Sequence, residues 1–151
     1  MDGSGINGKI GAAGHCTTNA STEYWHLGTD QQYNVHAGEL TGFHLGLQIL
    51  NQITQTGTDT FEKCNIYSDS QAAIKTLINS QKSGQAIIKD FLDEVDHLLH
   101  QHNIKIGIFW IPGHEEIHGN EKADKAANEA ALNSNINAKT CGFCKSSQEL
   151  T

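Results

Sequence analysis

Four acidic residues stand where the local pattern gives a carboxylate something to act on. Asp2 opens the run D-G-S-G and reads as part of a first strand. Glu39, in H-A-G-E-L, falls in the first turns of a helix whose apolar residues begin to repeat near Val35. Asp69 ends the strand N-I-Y-S-D, at the carboxyl edge where a parallel sheet opens to ligands. Asp124, in G-N-E-K-A-D, sits one turn into the last helix. Each alone has a plain structural use, because acids near helix N-termini offset the macrodipole and Asp–Gly or Asp–Ser pairs make turns. Brought together, they would offer hard oxygen donors to divalent cations.

The elements that must position these acids follow from periodicity. Residues 9–17 and 21–28 read as two short strands joined by a turn at Thr18–Ala20, with Tyr24 and Trp25 favouring the second. From Val35 to Thr54, Leu40, Phe43, Leu47 and Leu50 repeat at helical spacing until Gly57–Asp59 breaks the run. A strand over Lys63–Ser68 leads to a helix capped by Ser70 and reaching Asn79. After Ser83–Gly84, Ile87, Ile88, Phe91, Leu92, Val95, Leu98 and Leu99 make one apolar stripe. Residues 104–111 are nearly all apolar, the mark of a strand buried on both faces, and Pro112–Gly113 ends it. A last, alanine-rich helix runs from Asn120, read as its N-cap, to Leu132.

The order is therefore three strands, a helix, a strand, two helices, a strand and a helix. Antiparallel strands come first and helix–strand crossovers follow, which predicts an α/β fold with one mixed sheet and helices packed on it. Residues 1–132 form the domain, and 133–151 read as a polar tail.

Composition narrows the function. The net charge is −7, and every basic residue is a lysine. That argues against a generic basic nucleic-acid binder and excludes bidentate arginine readout of guanine. Any nucleic acid would have to be held by lysines, backbone amides and metal ions. No apolar run approaches the ~20 residues that span a bilayer. Met1 to Gly14 lacks the basic flank and apolar core of a signal peptide, so an intracellular protein, cytoplasmic or nuclear, with no membrane partner is expected. Cys16 and Cys64 read as small buried hydrophobes within strands. Cys141 and Cys144 lack two further ligands at zinc spacing, so they read as a reduced pair in the tail.

The blocks D-G-S at 2–4, A-G-E-L at 37–40, Y-S-D-S-Q-A-A at 67–73 and W-I-P-G-H…G-N-E-K-A-D-x-x-A from Trp110 to Ala127 resemble the ribonuclease H type 1 family. The wording of the last two is most similar to the domains of eukaryotic retrotransposon polyproteins. The resemblance covers Asp2 to about Ala131 and implies a ribonuclease H-like sheet. It also implies hydrolysis of the RNA strand of RNA–DNA hybrids, with Asp2, Glu39, Asp69 and Asp124 holding two Mg²⁺ ions that Mn²⁺ could replace. His114, after Pro112–Gly113, matches a loop histidine assigned to proton transfer or product release. Gly3, Ser4, Ser70 and Gln71 match positions that contact the substrate. By the same resemblance the chain would act as a monomer or within a larger retroelement polyprotein beside a reverse transcriptase.

The chain departs from the family pattern at Glu116, where glycine is usual, at His118, where an acid is common, and at Val35–His36, where asparagines are frequent. Most of the first strand is absent before Asp2, which predicts a frayed metal ligand and a marginal sheet. A catalytically weak or dead domain that binds nucleic acid or supports a larger protein is the alternative reading.

Overall fold

A computed structural model describes residues 1–57, 60–79, 85–113 and 115–134. Their order is β1 (Asp2–Ile6), β2 (Lys9–His15), β3 (Thr22–Thr29), α1 (Val35–Thr56), β4 (Lys63–Ser68), α2 (Gln71–Ile78), α3 (Ala86–His102), β5 (Lys105–Trp110) and α4 (His118–Leu132). This is the α/β architecture expected from the sequence, with helices packed on both sides of the strands.

The strands form two ladders. β1, β2 and β3 pair antiparallel in that order, and β4 and β5 pair parallel. The β1–β2 turn is Asn7–Gly8, both at positive φ (51° and 71°), the geometry of a tight hairpin turn. The ladders are joined by a hydrogen bond from the Met1 amine to the Tyr67 carbonyl, 3.0 Å. Asp2 is thus held on both sides and buried, rather than frayed.

α1 starts at the Asn34 cap, whose Oδ1 accepts from the Ala37 N–H at 2.8 Å, and ends at left-handed Gly57. Its apolar residues Leu40, Phe43, Leu47 and Leu50 meet Ile66 of β4, Ala73, Ile74 and Leu77 of α2, and Ile88, Phe91 and Leu98 of α3. Phe43 and Phe91 meet edge to face, 6.0 Å between centroids. Leu99, at the rim of the α3 stripe, is exposed instead.

Small residues set the depth of the antiparallel half. A Cβ on Gly3 would lie 2.2 Å from the backbone nitrogen of Glu39, and one on Gly42 2.9 Å from the Asp2 carbonyl. α1 therefore rests backbone to backbone on β1. On the opposite face, a Cβ on Gly11 would lie 2.3 Å from the Ala127 carbonyl, where α4 lays Ala123, Ala127, Ala130 and Ala131 on the strands.

Two sequence expectations are corrected. β5 is not buried on both faces: Phe109 and Trp110 are exposed, because α4 covers β1, β2 and β3 and leaves the outer face of β4 and β5 open. There Tyr67 stacks on Phe109 and the Lys63 ammonium lies over the Phe109 ring. Asn120 is not the cap of α4, which begins at His118 after Ile117. Its side chain is turned inward instead. Ser83–Gly84 and the Cys141/Cys144 pair lie outside the described residues. Among those residues, no helix is long and apolar enough to cross a membrane.

Gly11→Ala tests the close packing away from the acids. The added methyl meets backbone on a packed helix, so stability should fall by about 1–3 kcal/mol, seen as a melting temperature lower by several degrees. An unchanged melt would mean α4 does not sit this close.

Candidate metal centre

Three elements bring carboxylates to one point. β1 supplies Asp2, α1 supplies Glu39 across the glycine contact, and the end of β4 supplies Asp69. One ligand oxygen from each lies within 4.8 Å of the others. Asp124, in the second turn of α4, hydrogen-bonds the Asp2 carboxyl and stands at the border of this cluster.

The polar neighbours hold these groups in place. The Gly3 N–H donates to Asp2 Oδ1 at 2.9 Å. Asn120 Nδ2 donates to Asp69 Oδ2 at 3.2 Å, and the Trp110 indole N–H donates to the Asp69 carbonyl at 3.1 Å. Asn128 Nδ2 donates to Asp124 Oδ2 at 3.2 Å, while Asn128 Oδ1 accepts from the Ser4 hydroxyl. Gly113 passes so close that a Cβ there would lie 2.9 Å from Asp69 Oδ2. The sequence reading gives Asn120 only a capping role and Asn128 none, although each lies four residues from Asp124, on the same helix face.

Of the positions matched to substrate contact, Gly3 and Ser4 are buried, the first beneath α1 and the second against Asn128. Ser70 caps α2 through the Ala73 N–H, 3.3 Å, and Gln71 beside it is exposed. His36 meets the Thr76 hydroxyl at 3.2 Å. Glu116 sits at φ 46°, a left-handed conformation that suits the glycine it replaces. His114 lies outside the described residues.

Crowding acids together raises their pKa. Burial pushes the Glu39 carboxyl up to about 8, reinforced by the charges of Asp2 and Asp69. Burial raises Asp2 to about 7, helped by its hydrogen bond with Asp124 and by the charges of Asp69 and Asp124. Burial holds the neighbouring Met1 amine below its usual value. The donor set fits a hard divalent cation on a direct observation: Glu39 Oε2 is buried and, among the described residues, has no hydrogen-bond partner. A cation there would replace protons and relieve the repulsion.

The sign of the pH effect follows. Unfolded carboxyls titrate near ~4, so between roughly 4 and 8 the folded state binds protons that the unfolded state has released. Without a cation, stability contributed by Glu39 and Asp2 is therefore greatest at the acid end and is lost as pH rises toward 8. His15 and His44, held low chiefly by burial, act in the opposite sense. Glu39→Gln isolates the carboxyl: in EDTA its melting temperature should gain on the wild type as pH rises from 5 to 8, and magnesium should narrow the gap. A difference independent of pH would remove the electrostatic account.

A family model for RNase H matches residues 1–132. Among solved structures, LC11-RNase H1 in complex with an RNA/DNA hybrid superposes with a TM-score of 0.61 at 14% identity, covering 87% of this chain and 93% of that one. The N-terminal RNase H domain of a Mycobacterium tuberculosis protein gives 0.56 at 16% identity, covering 87% and 89%. RNase H1 from Halobacterium salinarum gives 0.52 at 18% identity, covering 85% and 92%. These likenesses show a shared fold, and with the match across most of its length the chain belongs to the RNase H family.

Proposed function

We propose that this protein cleaves the RNA strand of RNA–DNA hybrids endonucleolytically, leaving 5′-phosphate and 3′-hydroxyl ends, with Asp2, Glu39, Asp69 and Asp124 holding two divalent cations. The observation that carries the reading is the meeting of three carboxylates around the unpartnered Glu39 oxygen. Magnesium is the proposed ion, with manganese able to replace it. When bound, such cations supply Lewis acidity at the scissile phosphate, serving both the attacking water and the leaving oxygen.

The chain's own groups do the rest. The Gly3 N–H, Asn120 and Asn128 fix the directions of Asp2, Asp69 and Asp124. Side chains so oriented reach a cation at little further entropic cost. Ser70 and Gln71, beside Asp69, suit contact with the 2′-hydroxyls in the minor groove, by which a protein tells RNA from DNA. His114 offers an imidazole for proton transfer at the leaving group or for release of product. The catalytic unit is residues 1–132, acting as a monomer or within a retroelement polyprotein.

A labelled hybrid incubated with magnesium or with EDTA tests the activity. Magnesium-dependent cutting of the RNA strand is expected, and equal cutting in EDTA, or of duplex DNA at the same rate, would sink the proposal. Asp69→Asn should fold normally yet lose activity by orders of magnitude, because a ligand charge goes while the volume stays. Near-normal turnover in that variant would move the site elsewhere.

His114→Ala separates proton transfer from metal holding. Turnover should drop, by about 10²–10⁴-fold where acid–base catalysis limits the rate, with magnesium affinity retained in calorimetry. Loss of magnesium binding comparable to that of Asp69→Asn would contradict the role.

A further inference from the structure

The outer face of the β4–β5 ladder takes no part in the metal centre, yet its composition is unlike the rest of the chain. Parallel register sets Lys63 beside Lys105, Asn65 beside Gly107 and Tyr67 beside Phe109. Strand alternation puts these six on one side, while Ile66 and Ser68 are buried on the other. The face is open because α4 lies over β1, β2 and β3.

The chain carries 17 acids against 10 basic residues, but none of these six positions is acidic and two are lysines. Like charges on neighbouring strands repel, so the pair costs stability unless a counter-charge meets it. Among the described residues neither lysine is in an ion pair, and the Lys63 ammonium rests over the Phe109 ring, 5.6 Å from its centre. Beside them Tyr67 and Phe109 stack at 5.6 Å between centroids, yet remain 46% and 43% exposed. Gly107 makes room for this arrangement. A Cβ there would lie 2.8 Å from the Phe109 ring and 3.0 Å from the Asn65 amide oxygen.

Exposed rings beside uncompensated cations suit a ligand that is flat and anionic at once. A second copy would set two like-charged faces together. An apolar protein surface would strip both ammonium groups of water without pairing them. A nucleic-acid duplex keeps its base faces inside the stack. An unpaired strand offers both features, bases for the rings and phosphates for the lysines.

We propose that this face is a platform for an unpaired strand of RNA or DNA, with bases on Tyr67 and Phe109 and adjoining phosphates on Lys63 and Lys105. The rings lie next to the acids. Asp69 follows Tyr67 by two residues, roughly 7 Å of strand. Trp110, whose indole N–H donates to the Asp69 carbonyl, follows Phe109 directly. A strand leaving the metal centre this way meets the rings first and the lysines after them. The platform deepens the nuclease reading and rests on it for what brings a strand here, but the binding itself needs neither cation nor cleavage.

The test titrates an oligothymidylate of about eight nucleotides into the unaltered protein in EDTA. Anisotropy of the labelled strand gives the affinity, and amide shifts in nuclear magnetic resonance give the place. Shifts should centre on Asn65, Tyr67, Gly107 and Phe109 and spare Glu39. An abasic strand of the same length should bind at least about tenfold more weakly, and Phe109→Leu should weaken oligothymidylate by a similar factor. The shift map, taken on the unaltered protein, stands whether or not that variant folds. Lys63→Gln should flatten the slope of log K against log salt by about 0.7, one phosphate's share. No binding, equal binding of the abasic strand, or shifts confined to the surroundings of Asp2 and Glu39 would overturn the proposal. Hybrid cleavage in magnesium, measured separately, decides the nuclease reading whatever this titration gives.

Discussion

The contact on which the rest depends is the backbone-to-backbone seating of α1 on β1. Glycine at 3 and 42 lets the helix axis come closer to the strand than any side chain at those positions would permit. That approach delivers Glu39 to Asp2, while β4 brings Asp69 to the same point. Fold and site are therefore not separable here. The same packing that buries the helix forces carboxylates together and raises the pKa of two of them. The repulsion is maintained by core contacts elsewhere, chiefly Phe43, Leu47 and Phe91, which lock α1 in place. Such a cluster stores unfavourable charge that a cation can release, so binding and local electrostatics work in the same direction.

Much of this was legible in the sequence, and the misses have physical causes. α1 and α3 announced themselves because their buried faces repeat with helical period, and the residues named for the α1 stripe are the ones buried. The acids were legible through the motifs around them. The start of α4 was misread because asparagine is a good cap, and Asn120 looked like one. Its amide is instead needed by Asp69, two elements away, a demand no local pattern reveals. β5 reads as apolar throughout, yet whether a helix covers its second face is a tertiary fact. Asn7–Gly8 is a strong local signal for the hairpin between β1 and β2.

The sheet itself is the least expected feature. An uninterrupted mixed sheet would share hydrogen bonds along the whole of β1 and β4, but these strands meet at Met1 and Tyr67. The two halves are held together mainly by α1, which packs on β1 and β2 and also reaches α2 and α3. A helix can take over that role because its apolar side extends across both ladders, from Leu40 to Leu50. Asp2 thereby keeps its place through the β2 ladder and the helix contact, with the single Met1–Tyr67 bond beside it on the β4 side.

The charge of the chain finally bears on how such a site would meet a polyanion. An acidic protein repels nucleic acid at long range, and four acids at the site add to that repulsion when bare. Cations held by the acids would reverse the local sign where the phosphate must sit. Affinity for the substrate and affinity for the metal are then coupled, each raising the other. The lysines add charge of a different kind, since a flexible ammonium lacks the fixed geometry of a guanidinium fork. On the proposed reading the carboxylates would do double duty: they would hold the cations that act on the phosphate, and those cations would let an acidic surface accept it.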